Sequence, residues 1–456
     1  MKDLAIVGSG PGGYVAAIRA AQLGMAVTIV EEAETLGGIC LNWGCIPSKA
    51  LLRNAEVLHL INDSESFGIS RGEVVADFDA AISRSREVVK RLVQGVAFLM
   101  RKNGVEVVQG RARLVSEQTF EVSPSRQTVA AAQIVIATGA RPKTLPGLDP
   151  DGKSVFTYRQ ALELRRLPRS CLIVGGGAIG AEFAYVYSSY GVKVTVIEAL
   201  PRLLPQEDEE ISQELTRQFN RQGIGLRTGQ LIQRSERAGE GWRLHLEGGE
   251  VEEAEMVLTA TGVAANVEDL GLEELGVVVD GGFIKVDDHM RTSVPGVFAI
   301  GDVNGPPLLA HAASAEGVIA VETAAGREVE PLDPVQVPRC TYCQPQVAST
   351  GLTEAQAKEQ GHQVRVGKFP FSASGKAIAM GDTVGFIKTV VDAESGKLLG
   401  THAIGAEVTE LLPEMVMAAW AGVKAEQFEA LVHAHPTLSE SLKEAALAAE
   451  GLAIHI

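Results

Sequence analysis

One device occurs twice in this chain: a short apolar run, a glycine-rich turn, a helix-forming stretch, then a second apolar run ending in an acid. Leu4-Ala5-Ile6-Val7 leads into Gly8-Ser9-Gly10-Pro11-Gly12-Gly13, a helical stretch through Ala21, and Val27-Thr28-Ile29-Val30 closed by Glu31. The order repeats in Cys171-Leu172-Ile173-Val174, Gly175-Gly176-Gly177-Ala178-Ile179-Gly180 and Val194-Thr195-Val196-Ile197, closed by Glu198. In both copies the acid lies 23 residues after the first glycine. The pattern predicts two β–turn–α–β units, each able to hold a dinucleotide. Gly8 and Gly175 make the tight turn, and Gly10 and Gly177 omit the Cβ that would block a pyrophosphate. Gly13 and Gly180 let helix and strand pack closely. The helix N-terminus, opened by Ala178 and Ile179 in the second copy, offers free N–H groups to the phosphates. Glu31 and Glu198 are placed to accept from ribose hydroxyls. Glycine-rich turns also occur without a ligand, but strand, helix and spaced acid recurring together argue for the binding device.

Each copy is followed by a matching phrase, Ile134-Val135-Ile136-Ala137-Thr138-Gly139 and Val257-Leu258-Thr259-Ala260-Thr261-Gly262. Each reads as an apolar strand whose terminal glycine, Gly139 or Gly262, lets the backbone approach a bound dinucleotide; a plain strand-end turn is the alternative. No arginine adjoins Glu198 to meet a 2′-phosphate, so the second site reads as one for NAD.

A segment rich in chemistry follows the first unit. Cys40-Leu41-Asn42-Trp43-Gly44-Cys45 spaces two thiols five residues apart. On a straight helix they would be about 140° and ~7.5 Å apart, too far for a disulfide, so the chain must bend for them to meet. Gly44 and Pro47 permit a bend, and a helix beginning near Cys45 would favour its thiolate. Two buried free cysteines remain an alternative; zinc lacks a second ligand pair nearby, and no metal site is expected. Cys340-Thr341-Tyr342-Cys343 has redox-motif spacing, but it lies in a proline-punctuated, strand-like stretch with no partner pair and reads as structural, as does Cys171.

Composition excludes several classes. With 41 basic and 57 acidic residues the net charge is −16, the wrong sign for a nucleic-acid or anionic-membrane surface. No apolar run reaches the roughly 18 residues of a membrane span. Met1-Lys2-Asp3 runs directly into the first strand without a leader-like segment, which points to the cytoplasm. Five cysteines in 456 residues do not make a secreted disulfide framework.

Three longer segments resemble the pyridine-nucleotide disulfide oxidoreductase family, and the resemblance extends over essentially the whole chain. They are Gly37-Gly38-Ile39-Cys40-Leu41-Asn42-Trp43-Gly44-Cys45-Ile46-Pro47-Ser48-Lys49, Phe298-Ala299-Ile300-Gly301-Asp302 and His433-Ala434-His435-Pro436-Thr437-Leu438-Ser439-Glu440. The first is similar, almost letter for letter, to the redox segment of members that act on dihydrolipoyl groups. The resemblance implies an α/β fold with two Rossmann-like domains, the first for FAD and the second for NAD, and a C-terminal α+β dimerisation domain. Expected boundaries are 1–142 (FAD), 143–265 (NAD), 266–333 (a central part packing on the FAD domain) and 334–456 (dimerisation).

It also implies that Cys40 exchanges with substrate thiols while Cys45 faces the flavin, with Lys49 beside it. Glu182 is expected near the nicotinamide, Asp302 on the ribitol chain, and Leu308, Leu309, Ala310 and His311 along the FAD. Ala112 falls where a backbone contact to the adenine end is expected.

Pro436 keeps His435 on a loop, and an imidazole is the natural acceptor of a thiol proton. Glu440 would orient that ring, although Thr437-x-x-Glu440 is also a capping box; the resemblance favours the catalytic role. His433 reads as structural. The implied activity is oxidation of protein-bound dihydrolipoyl groups to lipoyl with reduction of NAD. The implied setting is a homodimer whose sites draw residues from both subunits, working with a lipoylated acyltransferase core or lipoyl carrier protein of a 2-oxo acid dehydrogenase or glycine cleavage complex.

Competing readings are an NADPH-dependent glutathione-, trypanothione- or mercuric-type reductase and a non-catalytic flavoprotein. Glu198 without an arginine speaks against NADPH, and Ala453-Ile454-His455-Ile456 lacks the vicinal cysteines of the mercuric enzymes. The scaffold reading requires a missing cysteine or a missing His/Glu pair, and all four residues are present. Cys343 and Lys376 stand where threonine and arginine are frequent in the family; neither touches the proposed chemistry.

Overall fold

In the computed structural model, which describes residues 1–456, both duplicated segments fold as strand, helix, strand. The first copy is β1 (Lys2–Val7), α1 (Pro11–Gln22) and β2 (Val27–Glu31). It is followed by α2 (Gly38–Trp43), α3 (Cys45–Asn62) and β3 (Gln127–Ile136). The second copy is β4 (Ser170–Val174), α4 (Ala178–Ser189) and β5 (Lys193–Glu198), with β6 (Met256–Thr259). Further on come β7 (Val297–Ala299) and α5 (Ala310–Ala324).

By its contacts the chain divides into two units. Residues 1–50, 80–143 and 262–334 form one, and residues 51–79, 144–261 and 335–456 the other. Residues 51–79, which the sequence reading counted with the first segment, group with the second unit. Aromatic packing explains part of this, because the Phe78 ring meets Tyr187 and Tyr190 edge-on at centroid separations of 6.2 and 5.0 Å.

The first unit is organised by a seven-stranded sheet. Glu106–Gln109, β2, β1 and β3 run in parallel, and β7 pairs with β3. Strands Thr119–Ser123 and Arg111–Ser116 extend it antiparallel beyond β3. The β1, β2 and β3 runs are apolar on both faces because both are covered, one by α1, α5 and helix Phe78–Lys102, the other by strands Arg111–Ser116 and Thr119–Ser123 and residues 265–297. Sequence order reverses beside β1, which has β2 on one side and β3 on the other, creating the crevice where ligands of such sheets bind.

In the second unit a parallel sheet runs Gly225–Thr228, β5, β4, β6, Val155–Thr157. A C-terminal antiparallel sheet has the order β8 (Arg339–Thr341), β9 (Gln346–Gly351), β12 (Leu398–Gly405), β11 (Gly385–Asp392), β10 (Val364–Pro370). Helix Val408–Trp420 and α6 (Glu440–Ala448) bury Leu412, Met415, Leu442 and Ala445 in its core.

A polar row crosses that sheet. Arg339 is registered with Ser349, Ser349 with His402, His402 with Lys388, and Lys388 with Lys368. Lys388 is 3% exposed and is enclosed by three carboxylates, Asp208 at 3.0 Å and Glu210 and Glu354 at 2.8 Å each. Although burial opposes it, the ammonium is held charged and its pKa is raised. Glu354 lies below its ordinary value through bonds to Lys358 and Lys388; Glu210 is also lowered, its bonds to Lys368 and Lys388 outweighing burial.

Removing the cation that the three acids share leaves Asp208 uncompensated and Glu210 and Glu354 with only Lys368 and Lys358, so Lys388→Met is expected to destabilise the protein by about 3–5 kcal/mol at pH 7. Carboxylates with depressed folded values contribute fully above their unfolded pKa and lose that contribution as pH falls through the folded one. Urea unfolding at pH 7 and pH 4 checks this: the gap between wild type and variant should narrow at the lower pH.

Candidate active site

The two glycine-rich loops are the same object bond for bond. Gly8 and Gly175 have φ of 101° and 112°, and their N–H groups donate to Val30 and Ile197, each at 2.8 Å. A methyl on Gly8 would strike the Ala137 carbonyl, and one on Gly175 the Ala260 carbonyl. A methyl on Gly13 or Gly180 would strike the carbonyl of Gly8 or Gly175. Gly10 and Gly177 differ in kind, since a Cβ there points into open space. These are the N-cap residues of α1 and α4, so unpaired N–H groups adjoin that space. Gly139 and Gly262, at φ 67° and 98°, are also unobstructed. Two open cradles at helix N-termini fit the pyrophosphates of FAD and NAD.

Both acids also bind protein. Glu31 accepts from the Ser9 N–H (2.8 Å), the Ser9 hydroxyl (2.5 Å) and the Ala33 N–H (2.8 Å). Glu198 accepts from the Gly176 N–H (2.6 Å) and the Leu200 N–H (2.7 Å). Each carboxylate thus ties its loop to the end of its second strand, while its remaining lone pairs stay available to hydroxyls. Loop-tying was not part of the sequence reading.

Around the first cradle the chain places more of the expected residues. Helices α1 and α5 pack closely through small residues: a methyl on Gly12 would lie 2.9 Å from the Ala313 carbonyl, and one on Gly317 2.7 Å from the Gly12 carbonyl. The N-terminus of α5, with Leu309 as N-cap and Ala310 first in the helix, therefore lies beside that of α1. Leu308 and His311 are exposed there. Asp302 follows β7, and burial raises its carboxyl pKa. Glu316, itself buried, accepts from the Gly301 N–H (2.6 Å) and the Asn304 amide (3.1 Å), which fixes the turn carrying Asp302. Ala112 is buried on strand Arg111–Ser116, opposite Val122. The Thr138 hydroxyl donates to the Asn266 carbonyl at 2.8 Å.

The expected bend between the cysteines is a helix break. Helix α2 stops at Trp43, Gly44 takes φ −139° and ψ −113°, and α3 starts at Cys45. Cys45 therefore occupies a helix N-terminus, and Cys40 sits one turn from the end of the preceding helix. The Cys40 thiol is pushed well above its usual pKa by its hydrogen bond to Cys45, by burial and by the charge of Cys45, while Lys49 pulls it down.

Residues that the sequence reading passed over hold this segment. The Gly37 N–H donates to the Ser9 carbonyl and hydroxyl, each at 3.1 Å. A methyl on Gly38 would lie 2.6 Å from the Gly10 α-carbon, so α2 starts directly against the first cradle. Asn42, buried between the cysteines, donates to the Leu36 (3.1 Å) and Gly38 (2.9 Å) carbonyls and accepts from the Thr35 hydroxyl (2.9 Å). Asn42 is the second-last residue of α2, and no spacing in the chain marks its role.

In the second unit, Glu182 is buried on α4 and accepts the Tyr342 N–H at 3.1 Å. His435 is exposed and its Nδ1 lies 3.0 Å from Glu440 Oε1. Glu440 Oε2 accepts the Thr437 N–H at 2.8 Å. The capping-box reading fails: α6 begins at Glu440 with Ser439 as N-cap, and the Thr437 hydroxyl donates to the Ala434 carbonyl, so Thr437 does not cap it although Glu440 accepts its N–H. Despite burial, the bonds to Thr437 and His435 hold the Glu440 carboxyl below its ordinary value. Cys171 is buried in β4, and Cys343 is buried with its thiol toward the Pro345 carbonyl at 3.4 Å. No helix is long and apolar enough to cross a membrane.

Known proteins share this arrangement. A model of pyridine nucleotide-disulphide oxidoreductases matches residues 2–317, and one of their dimerisation domain matches residues 337–446. Dihydrolipoyl dehydrogenase of Rhizobium etli is 47% identical, covering 98% of this chain and 98% of its own length. That of Zymomonas mobilis is 48% identical, covering 99% of each. Among solved structures, LpdA of Mycobacterium tuberculosis has a TM-score of 0.91 at 26% identity, covering 98% of this chain and 99% of its own. The HOCl-induced flavoprotein disulfide reductase RclA of Escherichia coli has a TM-score of 0.88 at 27% identity, with the same coverage.

The two loops separate folding from binding. Gly13→Ala is expected to destabilise the protein by about 3 kcal/mol or more through backbone collision. Gly10→Ala should leave the melting temperature of flavin-free protein unchanged yet weaken FAD binding at least tenfold. Thermal melts of apoprotein with flavin titration distinguish the two.

Proposed function

The chain belongs to the pyridine nucleotide-disulphide oxidoreductase family, and from that premise we propose that it oxidises protein-bound dihydrolipoyl groups to lipoyl while reducing NAD to NADH. FAD and NAD are the cofactors of this family, and the relatives at 47–48% identity are dihydrolipoyl dehydrogenases. One observation carries the reading: two cysteines on either side of a helix break, hydrogen-bonded to each other, the first on a helix that starts against the first dinucleotide cradle.

His435 takes the proton from one substrate thiol, because the thiolate is the nucleophile in disulfide exchange. Glu440 orients the ring through Nδ1 and stabilises the imidazolium that forms. The thiolate attacks the Cys40 sulfur of the oxidised Cys40–Cys45 pair; the S–S bond breaks and Cys45 leaves as a thiolate. The second substrate thiol then attacks the mixed disulfide, which closes the lipoyl ring and returns Cys40 as a thiol. The position of Cys45 at a helix N-terminus favours its anionic form. The cradle at Gly10 and the N-terminus of α1 would hold FAD, which would supply the acceptor for the dithiol's two electrons, and the cradle at Gly177 would hold NAD as the final hydride acceptor. Lys49 and Glu182 are assigned to the flavin and nicotinamide ends of this path.

The dimerisation-domain match supports a homodimer. In this reading each site joins Cys40 and Cys45 of one chain to the partner subunit's His435 and Glu440. The protein acts in the cytoplasm with a lipoylated acyltransferase core or lipoyl carrier protein of a 2-oxo acid dehydrogenase or glycine cleavage complex.

The test is NAD reduction by dihydrolipoamide in the native enzyme and in Cys40→Ser and Cys45→Ser. Each variant is expected to lose about three orders of magnitude or more. Cys40→Ser should retain a long-wavelength thiolate–flavin absorbance that Cys45→Ser lacks. Equal rates in all three would remove the cysteines from the electron path, and faster turnover with NADP would move the protein to another branch of the family.

A further inference from the structure

His435 is 78% exposed, so packing does not hold its ring in place. Its position depends on what fixes the irregular segment 431–439. On the C-terminal side Glu440 does so twice, through the ring and through the Thr437 N–H. On the N-terminal side the Leu431 carbonyl accepts Lys443 Nζ at 2.7 Å. Between that anchor and His435, Val432 is 97% exposed. The side chain that ties this stretch to the body of the domain is His433. It is 10% exposed, and its Nε2 lies 2.8 Å from Glu414 Oε1 on helix Val408–Trp420.

From this geometry we propose that His433 and Glu414 form a positioning pair for the reaction. They fix the strand of chain entering His435, so that the imidazole meets the substrate thiol without either residue touching it. The inference rests on the assignment of His435 as the proton acceptor. Glu440 sets the tilt of the ring; His433 and Glu414 set the location of its α-carbon. A catalytic group displaced by about 1 Å loses on the order of a hundredfold in rate.

The experiment compares two reactions of the holoenzyme. NAD reduction by dihydrolipoamide requires His435, whereas NADH oxidation by a one-electron dye draws electrons from the flavin and bypasses thiol exchange. His433→Ala and Glu414→Ala are each expected to lower kcat of the first reaction about 10- to 100-fold, with the KM for NAD and the dye rate within twofold of native. Glu414→Gln, which keeps an acceptor for Nε2, should recover most of the loss. The double alanine variant should be no slower than the slower single variant. Parallel loss of both reactions, unchanged dihydrolipoamide turnover, or failure of Glu414→Gln to recover would overturn the proposal. Should His435→Gln itself leave dihydrolipoamide turnover intact, the assignment of His435 fails first, independently of the pair.

Discussion

In each half of the duplication a carbonyl oxygen lies against a bare α-carbon: Ala137 over Gly8, and Ala260 over Gly175. The neighbouring strands come that close because the Ala137 and Ala260 N–H groups donate to Val7 and Val174 at 2.8 and 2.7 Å. The glycine must then turn through positive φ, which a side chain would resist. That turn brings the helix N-terminus over the strand ends and leaves the second glycine facing empty space. In the first unit the same loop receives the redox helix through Ser9 and Gly10. One contact between backbones thus places both the nucleotide cradle and the sulfur chemistry beside it.

The two thiols are chemically unlike because their surroundings are. Cys45 begins a helix, and Cys40 precedes the break and hydrogen-bonds across it. That bond, burial and the charge of Cys45 push the Cys40 thiol up, and Lys49 pulls it the other way. The asymmetry follows from where one glycine interrupts one helix.

Features governed by local spacing were legible in the chain before folding. The glycines, their acids, the cysteine pair and the His435–Glu440 pair all lie within short segments whose spacing carries the chemistry. Features made by distant partners were not. Asn42 reads as an ordinary helical residue until the Thr35–Gly38 turn folds back on it. Glu316 is an acid in an apolar helix until Gly301 and Asn304 meet it. The Lys388 cluster joins three acids from two segments, the nearest of them 34 residues away in sequence, so no periodicity announces it. His433 read as structural from sequence alone because its partner is on another helix. The T-x-x-E spacing suggested a cap at Thr437, but the helix starts three residues later, and Glu440 instead joins the Thr437 N–H to the His435 ring.

The loop-tying carboxylates make coenzyme choice hard to alter. In most schemes for converting a chain from an unphosphorylated to a phosphorylated coenzyme, the acid at the end of the second strand is simply exchanged for a neutral or basic group. Here Glu198 also carries the Gly176 and Leu200 N–H groups, so the exchange would strand the buried Gly176 donor and free the Leu200 end of the tie. Retuning this protein toward another electron carrier would therefore call for rebuilding the loop's scaffold along with its selectivity.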